Sequence, residues 1–241
     1  MYVRGPIRLL QPCVTPRQCV GHPFCASSVE VSSVATGLCD ADGDWTAGAV
    51  WRGGEQLADW LMERIDLVNG RSILELGAGT GIAGIAAAYA GAASVVLSDQ
   101  QTEQAAANVL LNPAVASRLH VRRLHWGAEE ARGIAADVVI GADLVYPAAE
   151  ASLQLLIESL GTIRRPALLS YIERSATTSA KLQDALRQLG ARCRWMPWHA
   201  RAHSKGSFII LDAWNSTIAH NGTSCFQVHN ITTLREQDQE L

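Results

Sequence analysis

From residue 51 onward the apolar and polar positions fall into a regular pattern. Leu57, Trp60, Leu61, Ile65 and Val68 recur at helical spacing, and Asn69 with Gly70 ends the run, which predicts one amphipathic helix over 51–68. Beyond it, apolar segments at 72–76, 94–98, 119–124, 137–141 and 167–171 read as strands, and 81–90, 102–111 and 148–160 read as helices between them. A further helix is expected over 178–189, where Leu182, Ala185, Leu186 and Leu189 share one face. It is followed by two closing strands at 192–196 and 208–212. Such alternation predicts an α/β domain with a parallel sheet covered on both faces by helices. The stretch 197–206 is too short for a parallel crossover, so the last strand is expected to return antiparallel.

The two ends of the chain lack this order. Residues 1–44 are rich in Pro, Gly, Ser and Cys and are read as an irregular or β-hairpin extension, with one candidate strand at 29–34. Residues 45–214 then form the ordered domain, and 215–241 a polar tail. Arg4, Arg8 and Arg17 precede the first acid, Glu30, a weak resemblance to an organelle transit segment, yet no secretory apolar region follows the start. Cys13, Cys19 and Cys25 recur near His22 without a CxxC pair, and Cys39, Cys193 and Cys225 are scattered. Free thiols of a reducing compartment, cytoplasmic or nuclear, are expected rather than a metal site. In that setting the sequons at Asn215, Asn221 and Asn230 carry little weight.

At 241 residues, with 48% hydrophobic and 18% charged residues, the chain has the composition of a folded protein of one principal domain. Its net charge of −3 provides no general positive field for a polyanion, so nucleic acid is not the expected partner. The uncharged run of 22 residues over 76–97 is long enough to raise the question of a membrane helix, but five glycines within it argue for strand, loop and buried helix. Five basic residues, Arg187, Arg192, Arg194, Arg201 and Lys205, lie between Asp184 and Asp212 without an acid among them. They read as a solvated face, with an acidic partner surface as the alternative.

The most specific feature is Ile73-Leu74-Glu75-Leu76-Gly77-Ala78-Gly79-Thr80-Gly81, a strand running into a glycine turn that opens a helix. Glycines there let the backbone approach a nucleotide-like ligand, and the free amides of the helix start face its polar groups. Gly79 to Gly84 also satisfies the GxGxxG dinucleotide pattern. Two placements argue otherwise: Glu75 sets a carboxylate where a pyrophosphate would be repelled, and Gly77 comes two residues before that pattern begins. Asp99 follows the second strand, where a carboxylate accepts from both ribose hydroxyls of a nucleoside. A nucleoside bearing an amino acid suits both acids, and S-adenosylmethionine is such a molecule. The pattern is similar to the first two motifs of the seven-strand methyltransferases.

Three further segments narrow the resemblance: Thr46-Ala47-Gly48-Ala49-Val50-Trp51, His125-Trp126-Gly127 and Ala142-Asp143-Leu144-Val145-Tyr146. With the glycine turn they resemble family 16 of the protein methyltransferases, a group dominated by lysine methyltransferases. The resemblance runs from about Trp45 to Asp212 and implies a Rossmann-like seven-strand sheet with a reversed last strand. It also implies that Trp51, Gly77, Ala78, Gly79, Asp99, Trp126 and Ala142 line the cofactor pocket beside Glu75. Asp143 and Tyr146 would stand at the methyl-transfer end as the catalytic pair, with a lysine of a protein partner as acceptor. Trp126 can stack on adenine and Trp51 can close over the methionine end. Glu173, in Tyr171-Ile172-Glu173-Arg174, is a secondary candidate near the substrate mouth. A small-molecule methyltransferase, a silent cofactor-binding protein and an NAD-dependent oxidoreductase are the alternatives, the last leaving Trp126 and Asp143 without roles.

Overall fold

The computed structural model describes residues 46–146, 150–199 and 205–214. The 1–44 extension with its candidate strand, five of the six cysteines, and the 215–241 tail lie outside the described residues. Seven strands, β1 (Ser72–Leu76), β2 (Ser94–Asp99), β3 (Leu119–Arg123), β4 (Val138–Ala142), β5 (Ala167–Ile172), β6 (Arg192–His199) and β7 (Lys205–Asp212), form one sheet in the order β3-β2-β1-β4-β5-β7-β6. All neighbouring pairs from β3 to β5 are parallel, and β7 runs antiparallel to both β5 and β6. The expected reversal of the last strand is therefore present, and β7 lies inside the sheet rather than at its edge. The two strands extend further than expected, β6 to His199 and β7 from Lys205.

Among the described residues six α-helices cover the sheet: α1 (Arg52–Glu63), α2 (Ile82–Tyr89), α3 (Glu103–Leu110), α4 (Ala128–Ala131), α5 (Glu150–Ile163) and α6 (Ala176–Gln188). The single helix expected over 51–68 is divided. Arg64 leaves helical backbone angles (φ −113°, ψ 61°) and its guanidinium pairs with Asp66, so the chain continues as a 3-10 turn, Ile65–Leu67. Ile65 and Val68 keep their apolar contacts in that turn without belonging to the helix.

Strand alternation divides the apolar residues into two cores. Ile73 of β1 faces the layer of Leu57, Leu61, Ile85 and Ala105 from α1, α2 and α3, whereas Leu74 and Leu76 face Leu156, Leu160, Leu182 and Leu186 from α5 and α6. Glu75 shares the side of Ile73, which aims a carboxyl group at α2. The order of strands reverses between β1 and β4, and the loops leaving their carboxyl ends diverge there to open a crevice. Among the described residues no helix is long and apolar enough to cross a membrane.

Candidate active site

A cavity of about 220 Å³ opens at that crevice. Trp51, Glu75, Gly77, Ala78, Gly79, Asp99, Trp126, Ala142, Asp143 and Tyr146, the ten residues expected at the cofactor and methyl-transfer ends, line it. They come from the segment before α1, from the carboxyl ends of β1, β2 and β4, and from the turns after β1, β3 and β4. Glu173 is exposed and is not among the residues that line the cavity. Its neighbour Arg174 is the residue that reaches the site.

The glycine turn is shaped by its surroundings. Gly77 sits at φ +61°, and a Cβ there would stand 2.6 Å from Leu144 and 3.1 Å from the Trp126 ring. Only glycine combines that backbone with that contact. The turn is tied down by the end of β2. Ala78 N–H donates to the Ser98 carbonyl at 2.9 Å, and Gly79 N–H donates to Asp99 Oδ2 at 2.8 Å. Gln101 N–H donates to the other oxygen, Oδ1, at 3.0 Å. Both carboxylate oxygens of Asp99 thus brace backbone amides at the mouth of the turn. From below, the fully buried Asn108 of α3 donates to the Thr80 carbonyl at 2.7 Å. Sequence reasoning missed Asn108, because an Asn within a helix carries no signal until its partner is known.

Glu75 is buried to 2% exposure at the floor of the cavity. Desolvation pushes its carboxyl up to about 8. The Gly84 amide opposes this, and the neighbouring charge of Asp99 adds to it. Gly84 N–H donates to Glu75 Oε2 at 2.9 Å. Burial thus favours the neutral form of this carboxyl, and an ammonium placed beside it would favour the charged form.

At the other end of the cavity Asp143 adopts a left-handed backbone (φ 58°), with its N–H bonded to the Ser170 carbonyl at 2.9 Å. Ser170 Oγ in turn donates to the Gly53 carbonyl at 2.6 Å, joining β5 to the start of α1. Gly53 leaves the space that Asp143 fills, since a Cβ on it would lie 2.9 Å from the aspartate's own. The Asp143 side chain is 2% exposed and is gripped at both oxygens by Arg174, at 2.6 and 2.5 Å. The bond to Asp143 is the largest cause raising the Arg174 pKa above its ordinary value. The guanidinium also lies 5.8 Å from the centroid of the Trp51 ring, which is 45% exposed.

Residues 38–186, more than half of the chain, match the family described as "Lysine methyltransferase". The chain belongs to this family. It is 37% identical over 121 residues to EEF1A lysine methyltransferase 3 of Mus musculus, covering 49% of this chain and 50% of that protein. With Protein N-lysine methyltransferase METTL21A of Xenopus tropicalis it shares 38% identity over 112 residues, 43% of this chain and 51% of the other. The chain thus spans about half the length of these curated relatives. Among solved structures, magnesium protoporphyrin IX methyltransferase from Synechocystis PCC 6803 with bound SAM superposes with a TM-score of 0.52 at 19% identity. The match covers 67% of this chain and 80% of that one, a likeness of fold. The Rossmann-like methyltransferase sheet expected from the resemblance is the one observed.

Proposed function

We propose that this member of the lysine methyltransferase family is an S-adenosylmethionine-dependent protein-lysine N-methyltransferase whose methyltransferase domain spans 45–214. The observation that carries the proposal is that one cavity is lined by Asp99, Trp126 and the Gly77 turn, suited to a nucleoside, and by Asp143, Tyr146 and Trp51, suited to a cation. When bound, S-adenosylmethionine supplies an electrophilic methyl group that passes from its sulfonium to a nitrogen lone pair as the S–C bond breaks, leaving S-adenosylhomocysteine.

The residues present fit that group. Gly77, Ala78, Gly79 and Asp99 would hold its amino-acid and ribose portions, Trp126 its adenine, and Ala142 and Trp51 its methyl-bearing end. Positioning and exclusion of water are the remaining requirements, because the displacement needs an aligned, neutral amine more than a strong base. Burial of Asp143 gives the acceptor ammonium a charged anchor, Tyr146 shapes the wall beside it, and the ammonium releases its proton to water before transfer.

The acceptor is a lysine on a protein, and the compartment is cytoplasmic or nuclear. An acidic partner surface would meet arginines that already have partners. Arg187 pairs with Asp184, and Arg192 and Arg194 both pair with Asp212. Calorimetric titration with S-adenosylmethionine, S-adenosylhomocysteine and NAD in parallel tests the cofactor. Saturable binding of the first two alone is expected, and binding of NAD alone overturns the reading. Tritiated-methyl transfer to lysate proteins, followed by amino-acid analysis for methyllysine, tests the reaction.

A further inference from the structure

The cation place at the acceptor end is filled by the protein itself. A lysine ammonium entering a methyltransferase site needs a carboxylate for its charge and an aromatic face for its stem and head. Asp143 and Trp51 provide both, and Arg174 is bound to both: to the carboxylate through two hydrogen bonds, and to the ring at 5.8 Å. The two partners differ in freedom. Asp143 is buried, held in a left-handed backbone by the Ser170 carbonyl, and seated against Gly53. Arg174 follows the end of β5, and its side chain is 31% exposed, so water can take over its hydrogen bonds if it swings out. A rigid buried acid with a movable, half-solvated cation is the arrangement of a receptor and a displaceable occupant.

We propose that Arg174 is an internal stand-in for the acceptor lysine: its guanidinium occupies the Asp143–Trp51 cation site and must leave before a substrate ammonium enters. The inference rests on the methyltransferase reading above and names the residue that governs entry to the same site. The guanidinium stays protonated against Asp143, so it offers no neutral amine of the kind a lysine presents for transfer. Apparent affinity for a lysine substrate falls by the fraction of molecules in which Arg174 is displaced, so removing it strengthens binding without altering the transfer step.

Arg174→Lys provides the direct test, since it sets a methylatable amine on the occupant's own stem. The full-length variant is incubated with S-adenosylmethionine, its intact mass is followed, and the modified peptide is mapped, with Arg174→Met as the inert control. Methyl groups at position 174 are expected in the lysine variant alone. Arg174→Gln is measured in parallel for tritiated-methyl transfer to lysate proteins. The lysate concentration giving half-maximal labelling should fall several-fold, with little change in the maximal rate.

Failure of this inference differs from failure of the underlying reading. If wild type labels lysate proteins while position 174 stays unmodified and Arg174→Gln loses its rate, Arg174 is a fixed clamp on Asp143, and the inference is overturned with the activity intact. If every form binds S-adenosylmethionine in calorimetry yet none transfers a methyl group, the methyltransferase reading falls and this inference with it. Should Arg174→Lys fail to bind the cofactor, the Arg174→Gln labelling curve decides alone, in the same two directions.

Discussion

The backbone N–H of Gly84 donates to the buried carboxyl of Glu75 at 2.9 Å, and a Cβ at position 84 would lie 2.4 Å from that carboxyl and 2.2 Å from Leu97. The first turn of α2 is thereby fastened to the end of β1, under the floor of the candidate active site. Gly84→Ala should overpack this contact and cost about 1–3 kcal/mol. Chemical denaturation of the variant checks it, and cofactor affinity should drop with it because the Gly77 turn rests on the same strand end.

Glu75 predicts a pH dependence. Its folded pKa of about 8 lies above the ordinary 4.5, so between those values the folded chain holds more protons than the unfolded one. Stability from this group is therefore fully present below about 4.5 and declines as pH rises through about 8. Denaturation midpoints at about pH 5.5 and about pH 9 should show a smaller decline in Glu75→Gln than in wild type.

Asp99→Ala removes the acceptor for Gly79 and Gln101 N–H as well as the proposed ribose contact. Losing two charge-assisted hydrogen bonds predicts at least about 100-fold weaker S-adenosylmethionine binding. Calorimetric titration measures this directly, and binding unchanged within a few-fold would remove Asp99 from the cofactor site.

Asp143→Ala should separate binding from transfer. The cavity near Asp99 and Trp126 is untouched, so cofactor affinity should stay within a few-fold of wild type, while methyl transfer falls by about 100-fold or more. Arg174, already 31% exposed, can turn to solvent, which keeps the stability cost below that of a buried charge left alone. Full transfer activity in this variant would remove Asp143 from the catalytic assignment.

Asn108→Ala deletes the donor to the Thr80 carbonyl, leaving a buried acceptor unsatisfied. A stability loss of about 1–3 kcal/mol is expected, together with weaker cofactor binding through the loosened turn. Comparing thermal unfolding with and without S-adenosylmethionine tests both effects.

Alternating strands and helices, the glycine turn after β1 and acids at strand ends were all legible along the chain. A repeating pattern of apolar residues reports which face is buried, and a glycine run reports where backbone must bend closely. On that basis the sequence by itself determined the α/β class and the reversed last strand, and its resemblance to a known family pointed to ten of the residues that line the cavity. Partnerships were a different matter. That β7 inserts between β5 and β6, that Arg64 divides the first helix, that the buried Glu75 carboxyl meets the Gly84 amide, and that Arg174 rather than Glu173 meets Asp143 were decided only by the tertiary structure. Each depends on which strand ends become neighbours and how deeply a charge is buried. Hydrogen bonds and desolvation act over a few ångströms in space, between residues that local periodicity along the chain does not connect.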